Sequence, residues 1–328
     1  MLLDFVTFFS IAHSIIAVLG MAFNVLLIYL ALFQTPKVIR SYATLIVNFA
    51  LTDFFACFFD FFVQQRIIPA GMTLGYVSSG ICKYAGPRTC FTLYSLMLHF
   101  LAHTLWSLLL SFSYRYYILF KPAPARSTLI LILLIIYIPS TIQWITFLYA
   151  QGDPAEVAKT IEMKRPEYNM TGLCVTGNPD IFTFSALFTI LHMTVPVTPV
   201  YCCILVLRRK IIARLSFKGV NIARDTKNLH SQLLMSLTYQ AMLPGFFFFS
   251  ILSYALGQFE IYNSPMLEYF TSSGFLLIPF FSPLASFIFV TPYRTFIRKH
   301  MSRIVQVTPA ESSSLPTNYT SHLQVIAA

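Results

Sequence analysis

Charge is what this sequence has least of. Only 10% of its 328 residues are Asp, Glu, Lys or Arg, against about 25% in ordinary soluble domains. Hydrophobic residues make up 57% of the chain, and phenylalanine alone supplies 33 residues. So few charges cannot coat a surface that faces water, which excludes an ordinary soluble protein. Lipid must therefore cover much of the folded chain.

Six stretches contain no charged residue at all, and each is at least 25 residues long: 5–36, 89–114, 127–152, 181–207, 228–259 and 269–293. A membrane-spanning helix needs about 20 residues. A seventh window, 41–65, is interrupted only by Asp53 and Asp60. The pattern predicts an all-α membrane protein, a seven-transmembrane helix bundle within residues 1–305. We expect helices near 7–33, 42–64, 89–119, 127–150, 181–207, 231–257 and 268–290, then a short amphipathic helix at 292–304 and a disordered tail at 306–328.

The N-terminus lacks the basic residues of a secretory signal. Its only early charge is Asp4, and the apolar run continues to Phe33, beyond the roughly 7–15 residues of a signal core. We interpret this segment as the first membrane helix, not as a cleaved leader.

Groups for catalysis and for cofactor binding are also missing. No Ser-His-Asp set comes together at one depth of the predicted bundle, so we do not expect an enzyme. No lysine occurs between residues 228 and 298, which excludes a retinal Schiff base on the seventh helix. His99 and His103 are one helical turn apart, but no acid or cysteine completes a metal site. We therefore expect packing or hydrogen bonding from this pair, and neither a metal nor a cofactor.

The charges that are present are distributed asymmetrically. Sixteen Lys and Arg residues follow predicted helices one, three, five and seven, and six lie in the other connections. Because basic residues mark the cytoplasmic side, the N-terminus is expected outside and the C-terminus inside. The basic segments suit an anionic lipid surface rather than nucleic acid. Asn169, in an Asn-Met-Thr sequon of the second outer loop, is then an expected glycosylation site, and Asn318 in the tail is not.

Three of the six cysteines lie on the outer side, where a disulfide can persist. Cys90 is at the outer start of the third helix, and Cys174 is in the middle of the second outer loop. We expect a Cys90–Cys174 bridge that holds this loop over the bundle. Three is an odd number, so a pairing that uses Cys82 remains the alternative.

Arg115 ends the apolar run of the third helix. It follows Cys90 by 25 residues, about 37 Å of helix at 1.5 Å per residue, so the helix starts at the outer surface and carries Arg115 to the inner one. Two interpretations follow. Arg115 either snorkels to the inner interface or faces a cytoplasmic partner.

Several motifs resemble those of a known receptor family: LTDFFACF (51–58), VQQRIIPAG (63–71), YSLMLHFLAHTLWSLLLSFSYRYYIL (94–119) and FSPLASFIF (281–289). Over roughly residues 15–305 the chain resembles the nematode serpentine chemoreceptors of the delta class, which are rhodopsin-like G-protein-coupled receptors. The resemblance implies a chemosensory receptor in the plasma membrane, with the sensory cilium as the family's suggested location. It also implies a small-molecule ligand and a heterotrimeric G protein as partners. A transporter or channel is the alternative, which the lack of a repeat between the halves disfavours.

The resemblance also implies roles for individual residues. Asp53 matches a position that contributes to a polar or sodium-linked network in related receptors, and Asn24 and Ser282 are expected beside it. The residues expected to face the G protein are Arg115, Tyr116, Arg208, Arg209 and Lys210. Three positions depart from the rhodopsin-like pattern, namely Tyr114 for an acid, Met242 for a tryptophan and Ser286 for a tyrosine. The detailed switch chemistry is therefore not carried over.

A ligand is expected in the outer half of the bundle. Met97 and Leu101 lie near the Arg115 face of the third helix at 100° per residue. Asp60, with Gln64 one turn further out, is expected either to meet a ligand or to be satisfied by neighbouring polar side chains, since buried membrane carboxylates are costly. The rest of the expected pocket is aromatic and favours a small, mostly apolar ligand; it comprises Tyr94, Phe188, Tyr254 and Tyr269.

Overall fold

The computed structural model of the protein describes residues 2–36, 40–216 and 224–307. Seven helical spans in these residues are long and apolar enough to cross a membrane, which confirms the predicted seven-helix bundle. Spans one to four are the single helices α1 (Leu2–Phe33), α2 (Arg40–Val63), α3 (Pro87–Tyr117) and α4 (Arg126–Leu148). The fifth span comprises α6 (Phe184–Thr194) and α7 (Val197–Ser216), the sixth comprises α8 (Arg224–Gln240) and α9 (Gly245–Gln258), and the seventh is α10 (Pro265–Phe289).

The fifth and sixth spans are each divided at a proline, Pro196 and Pro244. Proline has no N–H to donate, and its ring clashes with the preceding turn. At the break in the sixth span the amide of Gly245 turns to the carbonyl of Met242. The carbonyl of Ala241 is then free to accept a hydrogen bond from the hydroxyl of Tyr201, at 2.9 Å. The two broken spans are therefore joined at the level of the break.

The seventh span stays continuous although Pro279 and Pro283 lie inside it. Pro283 cannot donate to the carbonyl of Pro279, which is the i−4 acceptor in a helix. The side-chain amide of Asn24 donates to that carbonyl at 3.1 Å. A polar residue of α1 thus satisfies the backbone group that the proline leaves open, as buried backbone groups require in lipid.

The outer connections form a small sheet that the sequence did not predict. Strands β1 (Gln65–Ala70) and β2 (Thr73–Ser78) form a hairpin, and β3 (Cys174–Asn178) pairs antiparallel with β2. Gly71 occupies the hairpin turn with a φ of 66°, a value that glycine adopts without steric cost. The protein is therefore mostly helical as predicted, with this small outer sheet in addition.

Helix α5 (Pro154–Lys164) covers the outer face of the sheet. Its side chains Val157 and Ile161 are fully buried against the strands, and a Cβ at Gly75 would collide with Ile161. Every residue of β1 and β2 is buried, because α5 lies above the sheet and the helix bundle lies below it. The sheet and α5 together are called the lid below.

The amphipathic helix predicted at 292–304 is present as α11 (Thr291–Val307). Tyr293 is fully buried, and its hydroxyl forms a 2.6 Å hydrogen bond with Thr35 at the end of α1. This contact fixes α11 against the bundle. All but the first two residues of the predicted tail, 306–328, lie outside the described residues, and so does Asn318.

Candidate functional site

A cavity of about 290 Å³ lies in the predicted outer half of the bundle, directly beneath the lid. Its walls come from α3, α6, α9 and α10, and its roof comes from the sheet; the residues include Tyr94, Leu98, Thr189, Ile251, Tyr254 and Thr271 in the walls and Ile67, Leu74 and Tyr76 in the roof. Among the described residues that line it, none carries a charge. The cavity is therefore suited to a neutral molecule, with hydroxyl and amide groups to orient it.

Tyr76 anchors the roof of this cavity. Its ring lies 4.9 Å from the ring of Tyr94, centroid to centroid, and its hydroxyl donates to the side-chain oxygen of Asn178 at 2.6 Å. The amide of Asn178 in turn donates to the carbonyl of Ala150 at 2.8 Å. Burial raises the pKa of Tyr76 well above its ordinary value, so the roof presents a neutral hydroxyl.

A second, smaller cavity of about 60 Å³ lies deeper in the bundle. It shares Met193 and Phe247 with the first cavity, so the two adjoin. Gln240 and Ser282 line this deeper space beside the break in the sixth span. A ligand in the outer cavity therefore lies one layer of side chains from the polar groups around Asp53.

Only part of the predicted ligand set lines these cavities. Tyr94 and Tyr254 line the outer one, and Leu101 lines the deeper one. Met97 is buried in the core but does not line the outer cavity. Phe188 is half-buried and stacks on His192, with 5.8 Å between ring centroids. Met97 and Phe188 line neither cavity, because the rotation of α3 and α6 turns these side chains elsewhere.

Asp60 and Gln64 do not line the outer cavity either, since both face α1. Asp60 accepts a 3.0 Å contact from the ring of His13, whose other nitrogen lies 2.8 Å from the hydroxyl of Ser273 on α10. Gln64 donates to the hydroxyl of Ser14 at 2.8 Å. Both side chains are thus satisfied by neighbours, Asp60 by a histidine rather than by the expected Ser, Thr or Asn. Contact of Asp60 and Gln64 with a ligand stays a prediction that the cavity lining does not support. The polar residues Ser10, His13 and Ser14, clustered on the outer half of an apolar helix, were the signal in the sequence for these partners.

Asp53 is buried near the middle of the bundle, with 1% of its surface exposed. Its neighbouring polar side chains are Ser282 and Thr104, and Gln240 donates to the Ser282 hydroxyl at 3.4 Å. One carboxylate oxygen of Asp53 has no hydrogen-bond partner among the described residues. Asp53 and Ser282 are thus neighbours as expected, whereas Asn24 bonds to backbone carbonyls.

A buried ion pair fastens the lid to the seventh span. The guanidinium of Arg66 on β1 donates from Nε to Glu268 at 2.7 Å, and Nη2 lies 2.6 Å from the same carboxylate oxygen. Tyr168 donates its hydroxyl to the other oxygen at 3.0 Å. Tyr269, predicted to contact a ligand, lies under the Arg66 guanidinium, stacks on Phe9 and does not line the outer cavity.

The electrostatics of this pair keep the Arg66 guanidinium charged. Burial alone would lower the pKa of Arg66, but the Glu268 carboxylate raises it above its ordinary value. Only 7% and 6% of the two side chains are exposed. The sequence gives no sign of the pair, because its partners are about 200 positions apart.

The disulfide joins Cys82 and Cys90, not Cys90 and Cys174. The short 3-10 helix Ile81–Ala85 directly precedes α3 and brings Cys82 to Cys90, with 5.2 Å between their Cα atoms. The predicted Cys90–Cys174 bridge is therefore wrong in this structure. Cys174 is a free thiol 3.6 Å from the Cys90 sulfur, and burial raises its pKa, which lowers its reactivity.

Mass-spectrometric mapping under alkylating conditions checks this pairing. We expect a peptide linking Cys82 to Cys90 and an alkylated Cys174 in the native protein. Cys174→Ser should leave the linkage intact, whereas Cys82→Ser should release Cys90 to pair with its 3.6 Å neighbour Cys174. Recovery of a Cys90–Cys174 peptide from the native protein would overturn the assignment.

At the inner end of α3, Arg115 is buried rather than snorkelling, with 2% of its surface exposed. Its guanidinium lies 4.1 Å from the ring centre of Tyr42, and Nη1 contacts the ring nitrogen of His230 on α8 at 3.3 Å. Two of its nitrogens, Nε and Nη2, have no partner among the described residues. Arg115 thus links the third span to the sixth with hydrogen-bonding capacity to spare.

The other residues predicted to face a G protein surround this end. Arg208 on α7 donates to the Thr238 hydroxyl at 3.1 Å. Lys210 lies 5.8 Å from the ring centre of Tyr116, and both Arg209 and Lys210 are exposed. These side chains form a basic inner surface around a buried arginine.

The chain is similar to known proteins over most of its length. A family model described as "Serpentine type 7TM GPCR chemoreceptor Srd" matches residues 9–299. The chain belongs to the Srd family. Serpentine receptor class delta-19 from Caenorhabditis elegans is 41% identical over 299 residues, covering 90% of this chain and 88% of that protein. Class delta-18 from the same organism is 41% identical over 302 residues, with 90% and 89% covered.

A solved structure of squid rhodopsin has the same fold. It superposes with a TM-score of 0.67 over 96% of this chain and 93% of the rhodopsin chain, at 13% identity. The Srd protein is accordingly a seven-helix chemosensory receptor, multi-pass in the plasma membrane. Its family is a receptor family, not an enzyme family.

The departures of this Srd chain from the rhodopsin-like pattern have structural consequences. Tyr114, which stands where an acid is usual, stacks on Tyr42 with 5.8 Å between ring centroids. Arg115 lies over the same Tyr42 ring. Aromatic contacts and His230 therefore hold Arg115 in this chain, where an adjacent carboxylate would hold it electrostatically. The identified resemblance did not predict either partner.

Proposed function

We propose that this protein is a receptor for a neutral, mostly apolar small molecule that binds in the outer cavity and signals to a heterotrimeric G protein. One observation carries the proposal: the outer cavity lies under a lid, adjoins the deeper polar groups and has no charged residue among its described lining. Desolvating a charged ligand there without a partner would cost several kcal/mol. A neutral ligand with one or two hydrogen-bonding groups avoids that cost.

The signal is proposed to pass through the sixth span. Phe247 borders both cavities, and the adjoining break before Gly245 allows α8 to swing relative to α9. The contact of Arg115 with His230 opposes such a swing in the structure described. A ligand that binds the swung arrangement more tightly shifts the equilibrium toward it, which frees Arg115 for a G protein.

A cavity-filling variant tests the ligand site. Cells expressing the receptor are exposed to a panel of uncharged alcohols, ketones and esters and to a matched panel of amines and carboxylates, with intracellular calcium through a promiscuous G protein as the readout. We expect responses only within the neutral panel. Leu98→Trp, which fills the outer cavity from α3, should abolish them, whereas Leu96→Trp on the same helix should not, because Leu96 does not line the cavity. Responses only to charged compounds, or equal responses in both variants, would refute the proposal.

The orientation of the receptor is tested by glycosylation. Asn169 is exposed beside the lid, and its side chain accepts a 2.9 Å bond from the amide of Thr171. We expect Asn169→Gln to remove the only glycan, seen as a mobility shift that glycosidase treatment no longer changes, and Asn318→Gln to have no effect. A glycan on Asn318 would show that the topology is the reverse of the one predicted, with Arg115 on the outer side.

A further inference from the structure

We infer that the ligand enters the outer cavity sideways from the lipid, through an opening between α6 and α9, and is therefore a molecule that partitions into membranes. The inference rests on the proposed function, since it concerns how that ligand arrives. It goes further by assigning the route and the chemical class of the ligand. Three features of the described residues support it: the roof, the side and the floor of the cavity.

The roof is closed. Both strands of the β1–β2 hairpin are buried between α5 and the bundle. Gln258 at the end of α9 donates to the carbonyl of Gly71 in the hairpin turn, and the Arg66–Glu268 pair fastens β1 to α10. A ligand coming from the water above would have to displace two layers of structure and a buried ion pair.

The side facing lipid between α6 and α9 is not closed. Helix α6 packs against α4, and α9 packs against α10 and β1, but α6 and α9 make hardly any contact with each other. Four apolar side chains face the cavity across this space while remaining half-buried: Ile190 and Met193 on α6, and Phe247 and Ile251 on α9. The backbones of α6 and α9 thus leave a space between them, bordered by apolar side chains, in the predicted outer half of the bundle. This space is the opening assigned to lateral entry.

Below the opening the same two spans are joined. The hydroxyl of Tyr201 on α7 donates to the carbonyl of Ala241 at 2.9 Å, and Arg208 bonds to Thr238 on α8 at 3.1 Å. The separation of the fifth and sixth spans is thus confined to their outer halves. A molecule dissolved in the outer leaflet meets the opening, and one in the inner leaflet does not.

The chemistry of this route limits which molecules can reach the cavity. Charged groups are costly to place in the hydrocarbon of a bilayer, so a route through lipid disfavours ions. Outside it, exposed residues such as Phe248 and Leu252 present only apolar surface to lipid. Inside it, the hydroxyls of Tyr94, Tyr254 and Thr271 can bond to a carbonyl or hydroxyl group. The predicted ligand is an uncharged lipophilic molecule with a carbonyl or hydroxyl group.

Photolabelling of the receptor in lipid nanodiscs tests the route without a known ligand. The probe is uncharged 3-trifluoromethyl-3-phenyldiazirine, which dissolves in the bilayer, and labelled residues are mapped by mass spectrometry. In the native protein we expect labelling of Leu98, which faces the cavity, as well as of lipid-facing Leu205. Ile251→Trp should fill the opening and cause loss of Leu98 labelling at unchanged Leu205 labelling. Leu252→Trp, adjacent on the same helix but facing lipid, should leave both unchanged, and Ile190→Trp should reproduce the block from α6.

A quaternary-ammonium diazirine added to the water phase is the charged control probe, because it does not dissolve in the bilayer. We expect it not to label Leu98 in the native receptor. Leu98 labelling by this cationic probe, no Leu98 labelling by the uncharged probe, or labelling that survives both tryptophan blocks would each overturn lateral entry. Labelling needs no signalling, so a receptor that shows the lateral route but never responds to neutral compounds refutes the proposed function and not the route.

Discussion

Replacing Glu268 with glutamine is expected to lower the free energy of unfolding by about 3–5 kcal/mol, because it leaves a buried guanidinium without its counter-charge. Arg66 has one carboxylate within 2.7 Å and is otherwise enclosed by the rings of Tyr168 and Tyr269. Water cannot replace the lost charge at a site this buried. The measurement is the thermal unfolding temperature of the receptor in nanodiscs, together with amide hydrogen exchange of the β1–β2 hairpin, which should accelerate as the lid loosens.

Two comparison variants separate the pair from a general effect of lost charge. Glu260 is exposed and makes no salt bridge among the described residues, so Glu260→Gln should change stability by no more than about 0.5 kcal/mol. The double variant Arg66→Met with Glu268→Leu removes both charges and should recover most of the loss, as buried pairs replaced by apolar residues often do. If Glu268→Gln unfolds no earlier than Glu260→Gln, the ion pair does not hold the lid.

Replacing Arg115 with alanine is expected to abolish G-protein activation while leaving the receptor folded. Removing a buried arginine that anchors an interface typically costs at least about 2 kcal/mol of binding, roughly 30-fold in affinity. Stability should not fall comparably, because Nε and Nη2 of Arg115 lack partners in the structure and their desolvation is unrewarded. The readouts are ligand-independent GTPγS binding to added G protein and the unfolding temperature, both normalised to receptor amount.

His230→Ala supplies the sensitised background for this experiment. It removes the ring nitrogen 3.3 Å from Arg115 and leaves only the His230 carbonyl, at 3.4 Å, as an acceptor on α8. This weaker hold should raise basal GTPγS binding, and adding Arg115→Ala should return it to background. Arg126, exposed at the start of α4, is the matched control, and its alanine variant should retain the raised signal. A double variant that unfolds early yet activates G protein normally would show that Arg115 is structural.

The number of membrane spans could be predicted from the sequence, and the reason is physical. Backbone groups in lipid must be satisfied within the segment, so windows such as 127–152 have to be helical whatever they pack against. The neighbourhood of Asp53 and Ser282 could also be anticipated, because each belongs to a motif shared with related receptors. Both inferences depend on local sequence or on a resemblance, and neither requires knowledge of how the helices rotate.

The ligand site could be predicted only in part, because helix rotation decides it. Tyr94 and Tyr254 do line the outer cavity, but Asp60 lies on the side of α2 that meets His13 of α1. An apolar helix in lipid has no hydrophilic face to indicate its orientation, since both lipid and protein interior favour the same side chains. Only the packed bundle shows which polar residue meets which.

The sequence alone established that this protein lies in a lipid membrane, that it has seven spans and to which family it belongs. The basic loops also predict its orientation in the membrane. Only the tertiary structure showed how the outer loops are arranged. They fold into a lid, Cys82 forms a disulfide with Cys90 in place of the expected Cys174, and Arg66 pairs with Glu268. These contacts join residues that sequence separation alone cannot relate. They form because a loop over a membrane bundle must bury its own polar backbone, and a sheet covered by a helix satisfies that requirement.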